Sequence, residues 1–439
     1  MSLGTAARCA LSAAMVLVGG CVALPPAADD TRPGSLVIVG GALRFADPEV
    51  WSRMVELAGG KGAKVAVIPT ASGDPKQNGG PIVAAFERYG ADATLIPLSL
   101  DAKRMDGLDY KQVREDPRWV DQVKGSSLVF FIGGAQERIV KALYEDDGGR
   151  SPMLQAIWEV YRSGGVVGGS SAGAAIMSDP MVRDTQDVFQ VLRNGARYWD
   201  VLQGDPPHGE ETTRGLGFIR AGWFVGQHFL IRGRFARALV VMRDCAMRYG
   251  LGVDENTAVV VTGGAEAEVI GYKGALLVDL AQATFDKGQR LFNVTNAKLS
   301  YLERGDHLNL ETLAITPSPE KNGGRKIDPN DRAYRPRHMD PAWYADVLGN
   351  TTVVDLMANL IDNQQTEVIG LAFTGNPAID HQGIDWEFRF YKGSDSLGYF
   401  TAAQGGSDYS VYHIHLDVEP VRMAERLYEP MKTSGPRCC

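Results

Sequence analysis

Short, wholly apolar runs punctuate the chain from Ser35 onward: Leu36-Val37-Ile38-Val39, Val65-Ala66-Val67-Ile68, Ala93-Thr94-Leu95-Ile96, Leu128-Val129-Phe130-Phe131-Ile132 and Val166-Val167. Runs this short, with no polar alternation, predict strands buried on both faces. Between them, residues 48–57, 81–89, 136–144 and 153–161 carry apolar side chains at helical spacing. Strands alternating with helices predict an α/β fold on a doubly wound, mostly parallel sheet. Several runs end in Gly, Thr or Ser, and sites in such sheets gather at the carboxyl ends of the strands.

Further along, residues 232–248 place Phe235, Leu239, Met242 and Ala246 on one stripe, which predicts an amphipathic helix with Cys245 in the core. Residues 257–261 and 269–280 read as strands. A polar, Pro- and Gly-rich stretch over 317–334 marks a boundary between an α/β domain at 35–315 and a C-terminal extension at 316–439. Within the extension, 386–391 and 411–416 alternate as half-buried strands do. At the other end, residues 1–20 have the basic residue and short apolar run of a signal peptide, and 21–34 read as a tether rich in Ala and Pro. The protein is therefore expected to be exported. Val18-Gly19-Gly20-Cys21 resembles a bacterial lipoprotein signal, which would anchor the chain to a membrane through Cys21. A cut after Pro26-Ala27-Ala28 is the alternative, and leaves no anchor.

Of the 439 residues, 44% are hydrophobic, enough for at least one large core. Lys and Arg number 45 against 53 Asp and Glu, a formal net charge of −8. That balance excludes general binding to nucleic acid, which needs clustered positive charge, and tolerates a cationic substrate. The five cysteines show no spaced pairs, so this is not a disulfide scaffold.

The chemistry centres on Gly169-Ser170-Ser171-Ala172-Gly173, where a short strand turns into a helical start. Small neighbours permit the sharp turn that exposes a nucleophilic serine, and main-chain N–H groups at the helix start face a developing oxyanion. A base is available in His228, which follows the apolar run Trp223-Phe224-Val225. His208, His307, His338 and His381 lie in polar surroundings and read as surface residues. His413 and His415 share a strand face but lack a third metal ligand, and read as solvated. The orienting carboxylate is Glu255 or its neighbour Asp254, in Gly252-Val253-Asp254-Glu255-Asn256-Thr257. Arg232, Arg234 and Arg237 sit at the start of the predicted helix, against its dipole. They either hold a bound anion, such as a substrate carboxylate, or pair with local acids. The order Ser, His, acid departs from that of α/β-hydrolase esterases.

With these residues the chain resembles the cyanophycinases, serine peptidases of a family that also contains bacterial aspartyl dipeptidases. The resemblance spans about 35–315 and rests on Phe131-Ile132-Gly133-Gly134-Ala135-Gln136, Gly169 to Ala174, Gly215-Leu216-Gly217-Phe218, Gln227-His228-Phe229 with Arg232, Arg234 and Arg237, and Gly252 to Ala258. It implies a fold like class I glutamine amidotransferases, a triad of Ser171, His228 and Glu255, and oxyanion donors at Gly134 in the Gly133-Gly134 turn and at Ala172. It further implies substrate contacts from Gln136, Gln227, Arg232, Arg234 and Arg237, no metal or other cofactor, and a dimer. The substrate implied is cyanophycin, poly-aspartate with arginine on each β-carboxyl, cleaved to β-aspartyl-arginine. One position departs: the family usually has Asp where this chain has Gly226.

Overall fold

The computed structural model describes residues 33–373, 383–403 and 408–422. The signal, Cys21, nearly all of the tether, His381 and the terminal cysteines lie outside the described residues. From the start, β1 (Ser35–Val39) leads to α1 (Pro48–Leu57), β2 (Lys64–Ile68), α2 (Pro75–Arg88) and β3 (Asp92–Leu95). The pair α3 (Tyr110–Glu115) and α4 (Pro117–Lys124) precedes β4 (Leu128–Phe131), α5 (Gln136–Leu143), α6 (Pro152–Arg162) and β5 (Val166–Ser170). Four of these helices open on an acid or serine followed by proline, at Asp47, Asp74, Asp116 and Ser151. The cap side chain takes an orphan N–H, and proline fits the first turn because it has no N–H to satisfy. The helix expected over 81–89 in fact starts at Pro75, since Asp74 supplies that cap and Pro81 sits inside the helix.

Five of these strands pair in parallel in the order β1-β5-β4-β2-β3. Side chains on the two faces of this parallel core fall into separate apolar clusters, one around Ile38, Val129, Phe131 and Val167, the other around Val37, Trp51, Phe86 and Phe130. Helices cover both faces, the doubly wound arrangement that buried, unalternating strands require.

The chain continues through α7 (Ala172–Ala175), β6 (Met181–Val182), α8 (Val188–Asn194), β7 (Thr212–Thr213), β8 (Trp223–Gly226) and α9 (Arg234–Asp244). Strands β9 (Tyr249–Val253), β10 (Thr257–Thr262), β11 (Glu266–Gly271), β12 (Ala275–Asp279) and β13 (Val294–Leu302) follow. The last section holds β14 (His307–Asn309), β15 (Ile315–Thr316), α10 (Pro319–Asn322), β16 (Arg325–Ile327), α11 (Thr352–Ile361), β17 (Glu367–Ala372), β18 (Ile384–Thr401) and β19 (Asp408–Arg422). Strands β10, β11, β14 and β15 extend the first sheet antiparallel from β1, making nine strands. A second sheet runs β16-β18-β19-β13-β12-β9-β8, with β17 on β18.

The stretch 269–280 is thus two strands in two sheets, because Gly271-Tyr272-Lys273-Gly274 turns the chain from one sheet to the other. The expected helix over 232–248 spans only Arg234–Asp244, with Arg232 and Gly233 at positive φ before it. Beyond residue 315 the chain completes the second sheet: Trp386, Phe388 and Phe390 are wholly buried with Leu239 and Met242 of α9 and Leu356 and Leu360 of α11. Trp386 also donates its indole N–H to the Phe292 carbonyl at 3.0 Å. We expect Trp386→Ala to cost about 3–5 kcal/mol and to lower the thermal midpoint of the whole chain. An unchanged midpoint would mean that the extension adds nothing to the fold's stability.

Candidate active site

The two sheets meet where the site lies. β5 ends at Ser170, and Ser171 turns the chain into α7 with φ 55° and ψ −112°. Its N–H donates to the Val39 carbonyl at the end of β1 at 3.1 Å. Such a dihedral pair is costly for a residue with a side chain and persists only where the surroundings hold it. The Gly133-Gly134 turn lies alongside, since a methyl placed on Gly133 would stand 3.2 Å from Ser171 Cβ. Ala172, fully buried, opens α7.

The second sheet delivers the base. β8 ends at Gly226, and His228 follows at φ 45° with its N–H donating to the Gly40 carbonyl at 2.7 Å. His228 Nε2 lies 3.0 Å from Ser171 Oγ, and His228 Nδ1 lies 2.6 Å from Glu255 Oε1. Glu255 sits where the chain crosses from β9 in the second sheet to β10 in the first. Its neighbour Asp254 points the other way, fully buried and 2.6 Å from Lys273 Nζ. Of the two acids left open by sequence, Glu255 is therefore the one facing the imidazole. Sequence reasoning passed over Gly40-Gly41, although a Gly pair at the carboxyl end of a buried strand was a readable signal. Gly41 has φ 124°, and a methyl there would lie 2.3 Å from His228 Nε2.

The arginines separate. Arg232 is exposed, and its main-chain N–H donates to Asn350 Oδ1 at 3.1 Å. Arg234 and Arg237 are only 7% exposed and both pair with Asp184. Arg237 also lies 3.3 Å from Glu211. For these two, pairing with local acids is the arrangement found, because a buried guanidinium needs a carboxylate to offset its lost hydration. Burial would raise the Asp184 carboxyl, but Arg237 and Arg234 outweigh it and hold it below the usual range. In Glu211, burial prevails over Arg237 and pushes the carboxyl up. Arg234 also donates to the main-chain and side-chain oxygens of Gln227, each at 2.9 Å, which leaves the Gln227 NH2 for a ligand. Gln136, the first residue of α5, is buried and donates to the Val182 carbonyl at 2.8 Å. Neither Asp184 nor Glu211 was singled out by sequence, since a lone acid in a loop carries no pattern.

Gly226 packs against Phe229, whose ring would stand 2.3 Å from a methyl at position 226. The packing leaves no room for a carboxylate there, and the arginine pair meets Asp184. The surface histidines His208, His307 and His338 are exposed. His415 bonds Asn296 Oδ1 at 2.7 Å and Asp395 Oδ1 at 2.9 Å, and His413 Nδ1 lies 3.1 Å from the Asp395 carbonyl.

The profile of peptidase family S51 matches residues 36–269, more than half of the 439. The chain belongs to this family. As an S51 member it is a serine-type peptidase, and the matched span holds Ser171, His228 and Glu255. Among its relatives, the cyanophycinase of Geminocystis herdmanii is 29% identical over 287 residues, 63% of this chain and 94% of that protein. The cyanophycinase of Trichormus variabilis is 27% identical over 296 residues, 66% of this chain and 89% of that one. A peptidase from an acI-B1 actinobacterium, of solved structure, shares 22% identity over 64% of this chain and 98% of its own, with a TM-score of 0.45. The S51 match ends within β11, before the strands that complete the second sheet.

If Gly41 keeps the imidazole in place, Gly41→Ala displaces it from Ser171 Oγ, and a shift of about 1 Å is enough to lower peptidase turnover about 100-fold. The check is turnover alongside circular dichroism; full activity in a folded variant would contradict the assigned packing.

Proposed function

We propose that this protein is an exported cyanophycinase. His228, held between Ser171 Oγ at 3.0 Å and Glu255 Oε1 at 2.6 Å, is the observation that carries this reading. In it, His228 Nε2 takes the Ser171 proton as Oγ attacks the aspartyl main-chain carbonyl. Glu255 holds the Nδ1–H tautomer and stabilises the imidazolium. The N–H groups of Gly134 and Ala172 receive the oxyanion, His228 returns the proton to the leaving amine, and water releases the acyl group by the same steps in reverse.

The relatives named as cyanophycinases support the substrate class. Each arginine of cyanophycin leaves a free α-carboxylate, for which exposed Arg232 is suited by its planar fork of donors. Gln136 and Gln227 supply neutral contacts, while Arg234 and Arg237 position Gln227 and Asp184 at the edge of the site. Export by residues 1–20, with or without lipid on Cys21, suits a substrate too large to enter a cell, and the working form in this reading is a homodimer.

Incubation of the purified protein with cyanophycin, followed by mass analysis, tests the reading. The expected product is β-aspartyl-arginine, absent with Ser171→Ala, and Arg232→Ala should slow processing with the fold intact. Cleavage of free aspartyl dipeptides but not polymer would make it a dipeptidase instead; equal release by Ser171→Ala would remove the nucleophile.

A further inference from the structure

A recess lies in the part of the chain beyond the S51 match. β18 and β19 pair in register up to Lys392 and resume at Leu397, so residues between them leave the ladder as a bulge. Bulges re-aim side chains and end local pairing. Here the bulge, the segment before α11 and the turn after it line an open cavity of about 450 Å³, within the range of small-ligand sites. Tyr334 and two prolines, Pro329 and Pro336, give it rigid apolar walls.

Its polar groups are sorted by sign. Lys392 lines the cavity, and its Nζ donates to the Asn363 carbonyl at 2.7 Å, leaving N–H donors over. Two amides that also line the cavity have their NH2 groups tied back to main-chain carbonyls: Asn330 to Gly393 and Ser394 at 3.3 Å each, and Gln364 to Met339. Their free ends are oxygens, which accept. The nearby buried Asp362 pairs with Arg325 at 2.6 and 2.8 Å, and its charge favours the Lys392 ammonium. Burial brings Lys392 down to about 8, with Asp362 opposing, and the group still carries charge at neutral pH.

We propose that this cavity is an accessory binding site for an arginyl group with a free α-carboxylate, the carboxylate on Lys392 and the guanidinium on the amide oxygens of Asn330 and Gln364. The proposal rests on the cyanophycinase reading for its natural ligand, since every arginine of that polymer carries this pair of groups. The site would hold polymer on the enzyme while Ser171 works elsewhere along it. An aspartyl dipeptide offers the same end group only once, so such a site gains most from a repeating ligand.

The probe is N-acetyl-arginine, titrated by calorimetry into the full chain carrying Ser171→Ala, beside N-acetyl-arginine amide, which lacks the carboxylate. Lys392→Met should weaken N-acetyl-arginine about tenfold, as loss of one charge-assisted hydrogen bond does, without altering the weaker binding of the amide. Ser394 is exposed at the bulge. Ser394→Trp fills the entrance and should weaken both ligands, which keeps the test available if Lys392→Met fails to fold. With Ser171 intact, either variant should raise the apparent KM for polymer and leave kcat unchanged. Unchanged affinity in both variants, or equal binding of acid and amide, overturns the proposal. Failure of wild type to cleave cyanophycin would instead strike the functional reading, because the titration does not depend on turnover.

Discussion

The crossing from β9 to β10 is the constraint on which the rest of the site depends. Those two strands belong to different sheets, so Asp254, Glu255 and Asn256 occupy the seam between them. The seam fixes which way each acid faces. Asp254 turns inward to Lys273, which itself sits on the return crossing from β11 to β12, and this tie across two crossings leaves Glu255 beside His228. Asn256, at φ 54°, has its N–H on the Gly41 carbonyl at 2.8 Å and its side chain accepting from Arg44 N–H at 2.9 Å. The loop after β1 is thereby bound to the same seam. Ser171 comes from one sheet and His228 from the other, and they meet because Ser171 bonds Val39 at the end of β1 and His228 bonds Gly40 just after it.

Electrostatics follows the same geometry. Two guanidinium groups, Arg234 and Arg237, lie buried beneath the second strand system, a placement tolerable only with acids at hand. Asp184 meets both, and Glu211 stands behind Arg237, fully buried. The result is a rigid charged floor that grips Gln227 through Arg234 and so fixes the residue before His228. Among the three arginines, only Arg232 keeps its guanidinium toward solvent, held off the helix by its own positive φ and the αL turn at Gly233.

Much of this was legible in the chain itself. Buried strands are written as unbroken apolar runs, so β1, β2, β3 and β4 could be placed to within a residue and β5 at its start, and Ser171 stood out because only small residues can surround a sharp strand-to-helix turn. The two-sheet arrangement was not legible. Nothing in 269–280 marks a change of sheet beyond four residues of turn, because periodicity records which face is apolar and not which partner a strand has. The choice between Asp254 and Glu255 had the same cause: adjacent residues point apart, and only the seam decides which one meets the histidine. The arginine pair was misleading for a different reason. The partner the two share, Asp184, lies 50 residues before Arg234 in sequence, and no local pattern connects them. The extension beyond 315 declared its strands by alternation, but gave no sign that they close a sheet begun by β8 and β9.

The central claim is that Ser171 is a nucleophile activated by His228, with Glu255 behind it. Reaction with a fluorophosphonate, followed by peptide mass mapping, measures this without reference to any natural substrate. The account predicts one adduct, on Ser171, formed about 100-fold or more slowly in His228→Ala and slowed in Glu255→Gln, in line with the worth of a positioned base. Adduct formation at an undiminished rate in His228→Ala, or on a residue other than Ser171, would contradict it.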